Sequence, residues 1–304
     1  MLGLSWMRPD APYMPVAVAG LLAVTERQEA GVTAEWAMSL HGPVLRLAAS
    51  CSVDELGEMI ASAPWPDLEA VAWPGAGPKQ GLKPTLADSQ DPLGAYRAMV
   101  SALHRSTEEA IPIELALLRA IVSDGGLDAA GVPMRSRLLR GVKADLSSVG
   151  KPPKVKAEEL ARELDAGPQF RRGSSGLGLG FVPEIQTFGG TTGPEPSSVG
   201  SYSPLLYNLL WHGIIALPPV TVARGRQRGV GGPLVTAPDV LSWPQWSIAV
   251  DLRCLRSLFA LADLHEDVPS IGSLSARGID AVYRARAVPI NSMVAVFRWG
   301  RRVA

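Results

Sequence analysis

The chain has two cysteines in 304 residues, Cys51 and Cys254, and they lie far apart. That spacing excludes a disulfide framework and a cysteine-based metal site. Both sit in apolar company and read as buried free thiols of a reducing compartment. Histidine is as sparse: His41, His104, His212 and His265 share no metal-ligand spacing. No Gly-x-Ser-x-Gly elbow, His-Glu-x-x-His pair or kinase signature occurs. The carboxylates read as helix caps and surface pairs, not as the cluster a metal-dependent nuclease needs, so neither a metal nor a cofactor is expected. Net charge is also missing, with 29 basic against 29 acidic residues, so no global field argues for nucleic acid. Nor does any apolar run reach the ~20 residues of a membrane span. The stretch 14–24 has the length of a signal-peptide core, but Asp10, Pro12 and Pro15 interrupt its approach and no small-residue cleavage site follows. It reads as a short buried helix of a cytoplasmic protein without a membrane partner.

What is present is a second buried helix. Residues 203–220 read Ser-Pro-Leu-Leu-Tyr-Asn-Leu-Leu-Trp-His-Gly-Ile-Ile-Ala-Leu-Pro-Pro-Val. Ser203 is suited to cap a helix and Pro204 to its first turn, while Pro218 and Pro219 cannot continue it. No residue from Tyr202 to Ala223 carries a formal charge. A soluble helix that is apolar nearly all round belongs in the core, and His212 within it reads as a hydrogen-bonded core histidine.

Around the two helices the chain alternates short elements. A helix is expected over 15–28, then a hairpin of 34–40 and 44–48 around His41-Gly42-Pro43. Ser52 caps a helix through 54–60, with Asp54 and Glu55 in its first turn. Residues 71–83 form a Gly/Pro-rich loop, followed by helices over 91–104 and 108–123 with Leu115, Leu118 and Val122 as a core stripe. A short helix covers 158–164, and 183–203 reads as a long surface loop. Short extended runs at 234–236 and 246–250 bracket Trp243-Pro244. Asp251 caps a helix with Leu252, Leu255, Leu258, Phe259 and Ala262 on one face, and His265 satisfies carbonyls at its end. Strands at 281–288 and 293–299 close the chain. The expected fold is α+β, helices packed on small antiparallel sheets with two buried apolar helices in the core. Three regions are expected: 1–150, a basic and Gly/Pro/Ser-rich segment over 151–203, and an arginine-rich region over 204–304.

The positive signal is the placing of charge. Residues 1–100 carry 6 Lys/Arg against 11 Asp/Glu, whereas 201–304 carry 11 Arg, no Lys and 6 acids. Arg is favoured where planar, bidentate contacts to phosphate or guanine matter, although a GC-rich genome enriches it too. The candidate nucleic-acid contacts are Arg135, Arg137, Arg140, Lys143, Lys151, Lys154, Arg171, Arg172, Arg224, Arg226, Arg228, Arg284 and Arg286. Gly225, between Arg224 and Arg226, and Gly229, after Arg228, would let the backbone lie close to a duplex. Gly176-Leu-Gly-Leu-Gly180 lacks the strand–GxGxxG–helix order and the Lys-Ser/Thr ending of a phosphate loop.

Three segments carry a resemblance. They are the opening helix ending in Gly-Leu-Leu-Ala-Val with its Trp-bearing strand, the core Leu-Leu-Trp-His-Gly-Ile-Ile-Ala-Leu-Pro-Pro with Leu-Ser-Trp-Pro-Gln-Trp-Ser, and Gly278-Ile-Asp-Ala-Val-Tyr-Arg-Ala-Arg. Together, over about a third of the chain, they resemble subunits of the type I-U/I-G CRISPR systems, in particular the compact ones standing in for the large subunit. The resemblance implies a non-catalytic subunit of a crRNA-guided, Cascade-type complex. Its implied partners are crRNA, target DNA and other Cas proteins including a helicase–nuclease. Its implied roles are contact with the protospacer-adjacent motif, duplex opening and recruitment of that nuclease. Two other readings of the residues stay open: an enzyme of another family acting on nucleotides or nucleic acid, and a purely protein-binding adaptor.

Overall fold

A computed structural model describes residues 1–66, 101, 113–114, 116, 122–127, 133–135, 154–174, 199–217, 220–224, 227–231, 235–236, 240–289 and 295–304. In chain order, β1 (Leu2–Leu4) leads to α1 (Met14–Arg27), β2 (Thr33–Ser39), β3 (Gly42–Ala48) and α2 (Val53–Ser62). Next come β4 (Val122–Leu127), β5 (Pro133–Arg135), α3 (Ala157–Ala166), β6 (Arg171–Ser174) and β7 (Val199–Tyr202). Then α4 (Pro204–Ala216) precedes β8 (Val220–Arg224), β9 (Gln227–Gly231), β10 (Val235–Thr236) and β11 (Val240–Trp246). The chain ends with α5 (Leu252–Phe259), α6 (Ile271–Ser275), β12 (Ile279–Pro289), β13 (Ala295–Phe297) and β14 (Arg301–Arg302). This is an α+β fold of helices on small antiparallel sheets.

The first sheet has the order β1-β3-β2, so the hairpin strand β3 is inserted between two strands joined through α1, a split βαβ unit. Alternation of apolar residues sets its faces: Ala34 and Trp36 of β2 and Leu45 and Leu47 of β3 are buried. α2 begins with a capping box, in which Ser52 Oγ accepts from the Glu55 amide and Glu55 accepts from the Ser52 amide. That backbone donor holds the Glu55 carboxyl below its ordinary value.

α1 and α4 form the centre. Every residue from Met14 to Thr25 and all 13 residues of α4 are buried. Their axes come close because each has a glycine where the other presents a carbonyl. A Cβ on Gly20 would lie 1.9 Å from the Leu209 oxygen, and one on Gly213 would lie 1.9 Å from the Val16 oxygen. The contact is reciprocal, since Val16 stands four residues before Gly20 and Leu209 four before Gly213.

An uncharged helix still has a polar end at each terminus. Both ends of α4 are closed by charged groups from elsewhere. At the N-terminus the Glu163 carboxylate of α3 accepts from the Ser203 hydroxyl and, at 3.2 Å, from the Leu205 amide. Ser203 in turn accepts from the Leu206 amide at 3.1 Å, as the cap expected of it. At the C-terminus Arg256 of α5 donates to the Ala216 carbonyl at 2.8 Å.

The second sheet has the order β10-β11-β12-β13, with β14 also paired to β12. Three features differ from the sequence reading. β11 runs through Trp243 and Pro244 instead of breaking there, because β10 pairs only with Val240 and Leu241, leaving Pro244 at an edge where no amide is required. Val122 and Ser123 start a strand instead of ending a helix, in line with the β-branched Val122 and the Gly-Gly that follows. α5 stops at Phe259, and Ala262 belongs to a separate 3-10 turn, Ala262–His265. His265 Nε2 meets the Phe259 carbonyl at 3.0 Å, which satisfies a helix-end carbonyl.

Cys51 is half-buried and Cys254 exposed, at odds with two buried thiols. Cys254 falls on the solvent side of α5, between the buried Leu252 and Leu255. The loop over 71–83, the helix over 91–104 apart from Ser101, most of the helix over 108–123, Leu115 and Leu118, Gly176–Gly180 and most of 183–203 lie outside the described residues. Among the described residues no helix is long and apolar enough to cross a membrane.

Candidate nucleic-acid interface

The pairing of β12 with its neighbours assembles arginines that are distant in sequence. Arg284 and Arg286 are two apart on a strand and share a face. Arg301 of β14 lies directly opposite Arg284. Arg298 follows Phe297, the partner of Ala287, and its amide donates to the Arg286 carbonyl at 3.3 Å. Arg284, Arg286, Arg298 and Arg301 thus gather at one side of the C-terminal strands.

The four are not equivalent. Arg284 uses its donors internally: Nε bonds Ser242 Oγ at 3.2 Å, Nη1 the Asp267 carbonyl at 2.8 Å, and Nη2 the Leu264 and Glu266 carbonyls. It therefore ties the 3-10 turn to β11 and β12. Arg286, Arg298 and Arg301 are exposed, and among the described residues none of their side chains makes an ion pair. Three exposed guanidinium groups without an ion pair among the described residues are suited to the oxygens of a phosphate chain. Sequence reading singled out Arg284 and Arg286 and passed over Arg298 and Arg301 as contacts. Strand register joins them, and the sequence shows it only once the 281–288 and 293–299 strands are paired.

The other predicted residues are dispersed. Arg171 is half-buried and paired with Glu159 at 3.1 Å and with Glu163 at 3.4 Å, so it steadies the carboxylate that closes α4. Lys154 is exposed ahead of α3. Arg172 lies in β6, Arg135 in β5, Arg224 in β8 and Arg228 in β9. The basic 221–231 stretch is thus an antiparallel hairpin, with Arg224 opposite Gln227 and Ala223 opposite Arg228. Arg137, Arg140, Lys143, Lys151 and Arg226 lie outside the described residues.

On the other side of these strands, where Tyr283 and its register partner Arg302 lie, runs an open groove of about 670 Å³, between the N-terminal segment Ser5–Asp10 and the C-terminal strand. Its lining includes Arg8, Asp10, His41, Tyr283, Arg301 and Arg302. Gly300 floors it: its amide donates to the Asp10 carbonyl at 2.7 Å, and a Cβ there would strike the Trp243 ring at 2.5 Å. Trp243 stacks on Tyr283, with ring centroids 6.1 Å apart, and donates its indole N–H to the Pro9 carbonyl at 2.7 Å. Burial raises the Tyr283 phenol above its ordinary pKa, so it is a neutral donor and acceptor at neutral pH.

Among the described residues no three His, Cys, Asp or Glu side chains gather to hold a metal ion. No protein-family model matches the chain, and no curated protein matches it.

Proposed function

We propose that this chain is a non-catalytic subunit of a crRNA-guided CRISPR surveillance complex that contributes to binding of target DNA. The observation that carries the contact itself is the arginine face: Arg286, Arg298 and Arg301 are exposed and, among the described residues, without an ion pair, beside the anchored Arg284. A side with several free guanidinium groups neutralises phosphates without regard to sequence, which suits a subunit that steadies DNA while a guide reads it. The resemblance to type I-U/I-G subunits supplies the rest of the reading: motif contact, duplex opening and recruitment of a helicase–nuclease. The buried α1–α4 pair carries part of two of the resembling segments.

The reading is tested by what the chain assembles with. Captured through a tag from its own host, it is expected to bring down other Cas subunits and short RNAs with uniform repeat-derived ends. Recovery of the chain without RNA, under conditions that keep ribonucleoproteins intact, would contradict it.

A further inference from the structure

We propose that the groove lined by Tyr283 and Arg302 seats unpaired nucleotides of single-stranded DNA, with a base stacked at Trp299 and a phosphate on Arg302. The proposal rests on the reading of the arginine face as a nucleic-acid contact and adds the form of nucleic acid taken here. Three observations carry it.

The first is charge. Three arginines line the groove against one carboxylate, and that carboxylate is tied to Arg8, with Nε to Oδ1 at 3.0 Å and Nη2 to Oδ2 at 2.7 Å. An anionic ligand fits this balance. The second is an exposed aromatic surface at the rim. Trp299 is 38% exposed, a high value for an indole, and the Arg8 guanidinium lies 4.5 Å from its ring centroid. A planar cation on an indole extends the stacking surface, and Tyr13 holds the same ring edge-on at 6.5 Å. Such a platform engages the face of a base, which a continuous duplex keeps covered by its own stack.

The third is preparation of the phosphate contact. Arg302 donates from Nε to the Ala304 carbonyl at 3.1 Å and from Nη2 to the Asp280 carbonyl at 3.3 Å. Its guanidinium is held in place while Nη1 has no bond among the described residues.

The experiment compares an oligothymidylate of about 12 nucleotides with a duplex of the same length, by fluorescence anisotropy on the full chain. The wild type is expected to bind both. Trp299→Ala is expected to weaken oligothymidylate binding by about 5- to 100-fold and duplex binding by less than about two-fold. Trp299→Phe keeps an aromatic face and is expected to recover most of the single-strand affinity, and unchanged duplex binding shows that both variants are folded. Equal losses on the two probes, or no loss on the single strand, would overturn the proposal. Binding of duplex but not oligothymidylate by the wild type would overturn it while leaving the arginine face standing. Binding of neither would overturn both.

Discussion

His212 shows how one buried side chain can set the acid stability of the molecule. It is 1% exposed on α4, packed edge-on against Trp65 with centroids 5.6 Å apart, and among the described residues neither ring nitrogen has a hydrogen-bond partner. Sequence reading placed it in the core correctly but gave it a hydrogen bond it does not make. Burial, together with the nearby Arg27 charge, lowers its pKa to about 3. The folded protein therefore refuses a proton that the unfolded chain accepts near pH 6.5. As pH falls from about 6.5 towards 3, the unfolded state binds more protons and stability declines, by up to about 1.4 kcal/mol per pH unit from this residue. Above pH 6.5 the effect is absent. Urea midpoints measured from pH 7 to pH 4 should fall more steeply for the wild type than for His212→Phe, whose ring suits the same aromatic surroundings. Identical pH dependence in the two would show that His212 takes up its proton in the folded state.

At the scale of elements, the two buried helices are defined by glycine and by borrowed charge. Alanine normally favours a helix over glycine by about 1 kcal/mol. At Gly20 and Gly213 the sign should reverse, because a methyl group there meets backbone carbonyl oxygen and the helices must separate. Gly213→Ala is expected to cost about 3 kcal/mol or more, read as a loss in thermal or denaturant midpoint. A neutral or stabilising result would mean that the helices do not cross there. Leu209→Ala and Leu210→Ala, at fully buried positions, should each cost about 2–5 kcal/mol. Glu163→Ala is expected to cost about 2–3 kcal/mol by leaving the Leu205 amide and Ser203 hydroxyl without their acceptor, and Glu163→Gln less. An almost wholly apolar run and the capping Ser203 made α4 legible in the sequence, as Ser52 and Asp251 did α2 and α5. The closure of α4 was not, because Glu163 and Arg256 lie about forty residues from the ends they cap, and only tertiary packing brings them there. The glycine crossing was half visible: Gly-Leu-Leu-Ala-Val in α1 and Gly-Ile-Ile-Ala-Leu at the end of α4 rhyme, but a rhyme does not say that the two glycines face each other.

Over the whole molecule, residues from both ends of the chain share one hydrophobic core. Three tryptophan indoles join distant segments through carbonyls: Trp6 to Leu164, Trp243 to Pro9 and Trp246 to Ala34. A pair of backbone bonds between Ala34 and Val250 extends the first sheet toward the C-terminal region. Strand pairing brings four arginines of the last third, Arg284, Arg286, Arg298 and Arg301, to one side of the C-terminal strands. Composition alone showed the excess of arginine. It could not separate Arg171 and Arg284, which hold the fold together, from Arg286, Arg298 and Arg301, which face solvent. The central claim is that these last three meet phosphates, and the salt dependence of duplex DNA binding tests it most directly. Each phosphate contact contributes about −0.9 to the slope of log affinity against log salt. Replacing Arg286, Arg298 and Arg301 together by Ala should flatten that slope by up to about 2.7, with a similar loss of affinity across unrelated sequences and no change in melting temperature. A slope and affinity equal to those of the wild type would contradict the account and remove this face from the path of the DNA.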